Sequence, residues 1–251
     1  MHEKNIVNYI LQLADSTLIL TQRNGAWCGH GPILEQDIAI TNITLDLIGQ
    51  CRNFYQYAAT LIGGETTEDK LAYLRTEREF KNLLLTEQEN GDWAQTILRQ
   101  FFFSVYQYFL YEKLQFSKDE QLAAIAAKSL KEVTYHVKWS GEWVIRLGDG
   151  TQESNERMQK AVTTLWQYTG EMFVSADYEK ALAEENIIPD SNLLKDAWME
   201  KVSAILNEAT LIIPENTFMQ QGGKNGVHSE KLGYILAELQ YLQRVYPGAE
   251  W

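Results

Sequence analysis

Helix-breaking residues are scarce in this chain, and their absence is what most limits the folds it can adopt. The 251 residues include only four prolines, and between Gly64 and Gly141 the only glycine is Gly91. Long stretches without breakers that are rich in Leu, Ala, Glu, Gln and Lys favour helices. No stretch alternates apolar and polar residues with the period of two that is typical of a strand. The sequence therefore predicts an all-α fold.

The breakers that do occur set the predicted element boundaries. A loop with a short helix fills 65–90, and Ser229 is predicted to cap the last helix. The seven longer helices are predicted at roughly 3–22, 33–62, 92–115, 118–147, 153–174, 191–208 and 229–245. Long helices with apolar stripes indicate a four-helix bundle with additional flanking helices. No repeat or linker divides the chain, so residues 1–251 are predicted to form a single domain.

The second predicted helix is apolar on two broad arcs. One arc comprises Leu34, Ile38, Leu45 and Ile48, and the other comprises Ile40, Ile43, Leu47, Cys51 and Phe54. A helix that is apolar over most of its circumference is normally buried. We therefore expect this helix to lie inside the bundle.

Composition excludes several classes of function. A net charge of −12 disfavours nucleic acid, an anionic membrane surface and unaided binding of a polyanion such as coenzyme A. No apolar run approaches the roughly 20 residues that a membrane-spanning helix needs. The two cysteines, Cys28 and Cys51, have no CxxC spacing, and no secretory signal is evident, so a cytoplasmic location is predicted.

The segment KEVTYH, residues 131–136, nearly spells a metal-binding pair. A di-iron bundle needs two Glu-x-x-His pairs that project inward from its helices. The residue three before His136 is Val133, however, and the matching positions of DLIGQ, residues 46–50, hold Leu47 and Gln50. Leu and Val cannot coordinate a metal, and the other three histidines lie at the amino terminus, in a turn and in a loop. We predict a packed bundle centre without metal, with metal binding as the alternative.

Polar residues accompany these degenerate metal-site positions. Asp46 belongs to a polar stripe on the second helix, and Glu132 lies one turn before His136 and could pair with it. The stripe fits either a solvent-exposed edge or a buried hydrogen-bond network. We predict structural roles for Asp46 and Glu132, since a buried polar group without a partner costs roughly 1–3 kcal/mol.

Two further segments could contact a ligand or a partner. Gly222, Gly223 and Lys224 lie in the one glycine-rich stretch that also carries a cation, which could meet a phosphate; a surface turn is the alternative. Seven of the eleven residues from Phe101 to Tyr111 are aromatic. Core packing is the simplest explanation, but aromatic residues on several helix faces also suggest a protein interface. The candidate interface residues are the exposed members of the set Phe101, Phe103, Tyr108 and Tyr111.

Four blocks of sequence carry a family resemblance that covers essentially the whole chain. They are QRNGAWCGHGPILEQDIAITNITLDLIGQCRNF, NLLLTEQENGDWAQTILRQ, KEVTYH with the tryptophans that follow it, and GGKNGVHSEKLGYILAELQYLQRVYPGAEW. In these blocks the chain resembles the non-catalytic C subunits of bacterial phenylacetyl-CoA 1,2-epoxidases. Long ordered blocks are far more specific than a short motif.

The resemblance implies a ferritin-like fold and a place in a multicomponent oxygenase. In that family a related catalytic subunit holds the di-iron centre and epoxidises the aromatic ring of phenylacetyl-CoA with O2. The metal motifs of that subunit read Asp-Glu-Ala-Gly-His and Glu-Ser-Phe-His, so Leu47, Gln50 and Val133 depart from them and His136 is retained. The implied partners are the catalytic subunit, further complex subunits and an NADPH-dependent reductase, and no catalytic residue is implied here.

Two other functions stay open from the sequence. A stand-alone di-iron or di-manganese oxidase with unusual ligands would need a second histidine in the bundle. A module that binds a CoA ester is supported locally only by Lys224 and its glycine loop.

Overall fold

A computed structural model describes residues 2–249, and within that range every regular element is helical. The prediction of an all-α fold is confirmed. The carboxyl-terminal block that carries the resemblance ends in Glu250 and Trp251, which lie outside the described residues, as does Met1. The α-helices are α1 His2–Gly25, α2 Leu34–Ile62, α3 Glu68–Tyr73, α4 Trp93–Leu114, α5 Glu120–Gly148, α6 Gln152–Leu165, α7 Asp177–Glu184, α8 Lys195–Glu208, α9 Glu230–Leu239 and α10 Tyr241–Val245.

Most predicted helix boundaries agree with the structure, and three do not. The segment predicted to start a helix at 191 is first a 3-10 turn, Ser191–Leu194, and the α-helix begins at Lys195. The helix predicted to reach 174 ends at Leu165 and continues as two 3-10 turns, where a Cβ on Gly170 would lie 2.7 Å from the Met219 side chain. The last predicted helix divides at Gln240, whose side-chain amide donates to the carbonyls of Ala72 and Arg75. Tertiary contacts accompany the end of the helix at Leu165 and the division of the last helix at Gln240. A local sequence pattern carries no information about such contacts.

Side-chain caps begin several of these helices. Asp92, Asp119, Thr151 and the predicted cap Ser229 each accept a hydrogen bond from a backbone N–H of the first turn. Helix α2 has no such cap, because the residue at its N-cap position is Ile33.

The turn before α2 is held by a side chain from the first turn of the helix. The Asp37 carboxylate accepts hydrogen bonds from the backbone N–H groups of Gly31 and Gly29 at 2.9 and 3.2 Å. These bonds, that from Gly31 first, lower the pKa of Asp37 because they stabilise its ionised form. A Cβ on Gly31 would lie 2.7 Å from the Asp37 backbone, so this turn requires glycine.

The chain forms two compact units, and the first comprises residues 1–87 and 222–251. In this unit α1 and α2 pack along each other, α3 packs on α2, and α9 contacts α1 and the 3-10 turn Glu77–Glu79. The arc of α2 that contains Ile40, Leu47 and Phe54 is buried. The opposite arc is exposed, so the prediction that α2 is enclosed on all sides is wrong. The single domain over residues 1–251 stays a prediction.

The second unit comprises residues 88–221. Helix α4 is its centre and packs against α5, α6 and α8. Trp198 is completely buried, with its indole N–H donating to the Phe102 carbonyl at 3.0 Å. Its ring lies 5.6 Å from that of Phe102 and 5.9 Å from that of Trp166. Much of the aromatic content of the sequence therefore forms the core of this unit.

No helix between residues 2 and 249 combines the length and the apolar character that crossing a membrane requires.

Candidate functional site

The α2 positions of the degenerate metal site lie in a tightly packed part of the helix. Leu47 is completely buried and Gln50 is 1% exposed, while Asp46 is half-buried. A leucine side chain offers no lone pair to a metal, and a neutral amide is a poor substitute for the imidazole that a di-iron bundle uses. These positions suit packing better than metal ligation.

The α5 positions are similarly enclosed. Val133 and His136 are completely buried, and Glu132 is half-buried. The backbone carbonyl of His136 accepts a hydrogen bond from Ser140 Oγ at 2.6 Å. His136 therefore supplies one imidazole, with valine instead of glutamate three residues before it. Pairing of Glu132 with His136 stays a prediction.

The donor set does not fit a di-iron centre. Such a centre takes four carboxylates and two histidines from facing helices. Throughout residues 2–249, no three His, Cys, Asp or Glu side chains are grouped so that they could hold a metal ion. Full burial of Leu47 and Val133 places apolar atoms where the two motifs would have their glutamates. The residues present give no basis for a metal-dependent step in this chain.

Helix α1 contributes a buried amide that the sequence patterns did not single out. Gln12 is completely buried, and neither its amide oxygen nor its amide nitrogen has a hydrogen-bond partner among the described residues. An unbonded buried amide is destabilising by roughly 1–3 kcal/mol. Gln12 is thus a polar group that packing alone does not explain.

A buried ion pair links three separate segments of the first unit. Asp15 of α1 is completely buried, and its carboxylate accepts hydrogen bonds from both terminal nitrogens of the Arg75 guanidinium. The same carboxylate accepts from the Tyr55 hydroxyl at 2.6 Å and from the Lys81 backbone N–H at 2.8 Å. Helices α1 and α2 and the segment after α3 are therefore joined through one carboxylate.

Charge and burial at Asp15 set the titration of its neighbours. Burial, followed by the Asp15 charge, raises the pKa of the Tyr55 hydroxyl well above its ordinary value. Burial and the same charge raise the pKa of the Cys51 thiol to about 12. Burial, the largest single effect, would lower the pKa of Arg75, but the charge and hydrogen bond of Asp15 together with the charges of Tyr55 and Glu79 outweigh it, so the net shift is upward. The arrangement keeps Arg75 charged and both Tyr55 and Cys51 neutral, which suits a structural clamp and not a nucleophile.

A second buried network joins Glu87 to the start of α9. His228 Nδ1 lies 3.0 Å from Glu87 Oε2, and His228 Nε2 lies 2.9 Å from the Phe80 carbonyl oxygen. A carbonyl can only accept, so Nε2 carries a hydrogen and donates to Phe80. The other oxygen of Glu87 accepts from the Ser229 backbone N–H at 2.8 Å. His228 therefore positions the amino-terminal end of α9.

The glycine-rich stretch is packed against this network and does not form a phosphate cradle. A Cβ on Gly223 would lie 2.2 Å from the Asn82 carbonyl oxygen, which explains why glycine is needed there. Gly222 has φ +139°, a conformation that favours glycine. Lys224 is only 2% exposed, so its ammonium is not presented to a phosphate in solution. The predicted role of Gly222, Gly223 and Lys224 in phosphate binding therefore loses its physical basis, and the CoA-ester alternative loses its local support.

Three of the four candidate interface aromatics are buried within their own unit, so the prediction of an interface through exposed members of the set rests on the fourth. Phe101, Phe103 and Tyr111 are at most 2% exposed, because α4 is enclosed on several sides by its own unit. Tyr108 is half-buried and lines an open groove of about 550 Å³ between α4, α5 and α8. The groove is mainly apolar, and among the exposed residues lining it are the charged Lys138, Glu142 and Lys201.

Sequence reasoning missed the two buried networks and the partnerless amide of Gln12. Asp15 is separated by 40 residues from Tyr55 and by 60 from Arg75, and Glu87 by 141 from His228. No local pattern spans such distances. The one available signal is a lone aspartate inside the otherwise uncharged stretch from Asn5 to Gln22.

The packed helices define an all-helical protein, with leucine and valine, which cannot ligate a metal, at positions 47 and 133. The sequence matches the family described as Phenylacetic acid catabolic protein over residues 1–251, and the chain belongs to that family. It is also similar to the C subunit of the 1,2-phenylacetyl-CoA epoxidase of Escherichia coli (strain K12). Identity is 51% over 243 residues, which are 97% of this chain and 98% of that protein. The resemblance in the four sequence blocks is confirmed.

Proposed function

We propose that this chain is the non-catalytic, structural subunit of a multicomponent di-iron oxygenase. That oxygenase would epoxidise the aromatic ring of phenylacetyl-CoA in aerobic phenylacetate degradation. The similarity to the C subunit of an epoxidase over nearly the full length of both chains supports the assignment to such a complex. The single observation that carries the non-catalytic role is the burial of Leu47 and Val133 at the positions where a catalytic bundle has glutamates.

The proposed fold is a ferritin-like four-helix bundle with flanking helices. Its four long helices would be α1, α2, α4 and α5, of 24, 29, 22 and 29 residues. In a metal-containing bundle the ligands help to hold the helices together. Here packing replaces them, since full burial of a Leu or Val side chain is favourable by about 1.5–3 kcal/mol.

The proposed complex divides its chemistry among its components. This chain would carry no cofactor, and the catalytic subunit would hold the di-iron centre. A separate NADPH-dependent reductase would supply electrons to the cytoplasmic complex. This chain would act on its catalytic partner by mass action, because binding only the folded partner stabilises that partner. The gain is about 2.7 kcal/mol when the free chain is at a hundred times its dissociation constant.

The experiment is a three-way comparison of turnover and stability. Phenylacetyl-CoA epoxidation is measured with this chain alone, with the catalytic subunit alone, and with both, in each case with the reductase and NADPH. We expect activity only when both are present, and a higher melting temperature of the catalytic subunit in the mixture. Equal turnover, solubility and melting temperature of the catalytic subunit without this chain would contradict the structural role.

A further inference from the structure

Helix α2 presents a row of exposed apolar side chains on the face opposite its packed arc. Its members, which we call the α2 seam, are Leu34, Ile38, Leu45 and Ile48. They are 72%, 52%, 60% and 44% exposed. Single exposed apolar residues are normal on a protein surface, but a contiguous row of them marks an interaction site.

The spacing of the α2 seam is that of a helix–helix contact. Positions 34, 38, 41, 45 and 48 alternate steps of four and three residues, which is the heptad pattern of packed helices. Thr41 is half-buried and occupies the middle position. From Leu34 to Ile48 the row is about 21 Å long at a rise of 1.5 Å per residue. A partner helix of four turns would cover it.

Gly49 adds room for close approach at one end of the row. It is exposed beside Ile48, and a Cβ built on it would have no neighbouring atom within 4 Å. Among residues 2–249 nothing requires glycine at this point of a 29-residue helix. A glycine costs roughly 1 kcal/mol relative to alanine in a helix interior. A small residue next to an apolar row lets a second helix backbone come near.

Charge favours a different protein over a second copy of this chain as the partner that covers the α2 seam. The chain has a net charge of −12, so two copies would repel each other. Glu35 is exposed next to Leu34, while Arg52, at the other end of the seam, is paired with Glu68 at 3.3 Å. The surroundings of the seam therefore favour basic groups on whatever covers it.

We propose that the α2 seam is the docking surface for an amphipathic helix of the catalytic subunit, with an apolar row matched to the seam and Lys or Arg residues beside it. This inference rests on the proposed function, because it takes its partner from the proposed complex. It assigns the contact to side chains that are exposed in this chain, whereas Phe101, Phe103 and Tyr111 of α4 are buried.

The test is the affinity of the full-length chain for the catalytic subunit, measured by isothermal titration calorimetry. The variant Leu45→Gln/Ile48→Gln keeps helix-forming residues at exposed positions, so its helical content should match the wild type. The matched control is Leu193→Gln/Ile212→Gln, which changes apolar residues that are 76% and 74% exposed elsewhere on the surface. We expect the seam variant to bind at least tenfold more weakly, about 1.4 kcal/mol, and the control to bind like the wild type.

Each outcome separates this inference from the proposed function. If the wild type and the seam variant bind the catalytic subunit equally well, the docking surface is wrong and the proposed function stands. If the wild type does not bind that subunit, the proposed function fails and the docking inference fails with it. If the wild type self-associates and the seam variant is monomeric with unchanged affinity for the catalytic subunit, the occupant is a second copy and the inference is overturned.

Discussion

The buried pair of Asp15 and Arg75 offers the most quantitative prediction for stability. The substitution Asp15→Asn preserves the shape of the side chain but removes the negative charge that faces the buried guanidinium. Asp15 accepts four hydrogen bonds from side chains and backbone, and its side chain is completely buried while that of Arg75 is 10% exposed. Removing one partner of a buried pair costs about 3–5 kcal/mol, because the other charge is left without compensation.

The loss should be visible in both urea and thermal unfolding. For a chain of this size each kcal/mol shifts the melting temperature by roughly 2–4 °C, so Asp15→Asn should melt on the order of 10 °C below the wild type. A matched control is Glu153→Gln, which removes the carboxylate of an exposed ion pair with Arg157. Exposed pairs one helical turn apart contribute only about 0.3–0.5 kcal/mol. The control should therefore unfold close to the wild type.

The double variant Asp15→Leu/Arg75→Met measures the interaction between the two charges apart from the loss of either one alone. It removes both charges, so it should be less destabilised than the two single substitutions added together. An Asp15→Asn protein that unfolds within about 1 kcal/mol of the wild type would refute the reasoning that this carboxylate clamps α1, α2 and the segment after α3.

The remaining predictions concern single side chains. Gln12→Met should leave the free energy of unfolding unchanged or raise it by about 1 kcal/mol, since it removes a buried amide without hydrogen bonds; a clear loss in urea unfolding would show that the amide has a partner. Gly223→Ala should destabilise the chain by more than about 1 kcal/mol, because its Cβ would lie 2.2 Å from the Asn82 carbonyl oxygen. Gly49→Ala should stabilise the isolated chain by up to about 1 kcal/mol, because a Cβ at this position has no described atom within 4 Å. Equal changes in the free energy of unfolding for Gly223→Ala and Gly49→Ala would contradict the packing argument. At pH 8 a thiol reagent should modify exposed Cys28 but not Cys51, whose pKa is raised to about 12, until the protein is unfolded. Two thiols reacting at the same rate in the native protein would count against that burial.

Helix type and most helix boundaries were predictable because local residues decide them. Long stretches without Pro or Gly, and Ser229 as a cap, act over a few residues, and the structure has helices where they indicate. The boundary at Leu165 was not predictable, since the chain leaves the helix where Gly170 approaches Met219, 49 residues away.

Which helix faces are covered could not be read from one sequence. In α2 both arcs are apolar, and only tertiary packing distinguishes buried Ile40 from exposed Leu45. In α4 the aromatic residues occupy every face, so the sequence pattern did not show which of them are exposed, and Phe101 and Tyr111 are buried. The degenerate metal positions were different, because a missing ligand is visible in the residue type itself at Leu47 and Val133.

Iron stoichiometry tests the central claim most directly. The purified chain is reconstituted with ferrous iron under anaerobic conditions, desalted and analysed for metal, with the catalytic subunit treated in the same way as the positive control. The account predicts no stoichiometric iron in this chain, because Leu47, Gln50 and Val133 do not provide ligands and His136 supplies only one imidazole. Close to two irons per chain, lost when His136 is replaced by leucine, would contradict it.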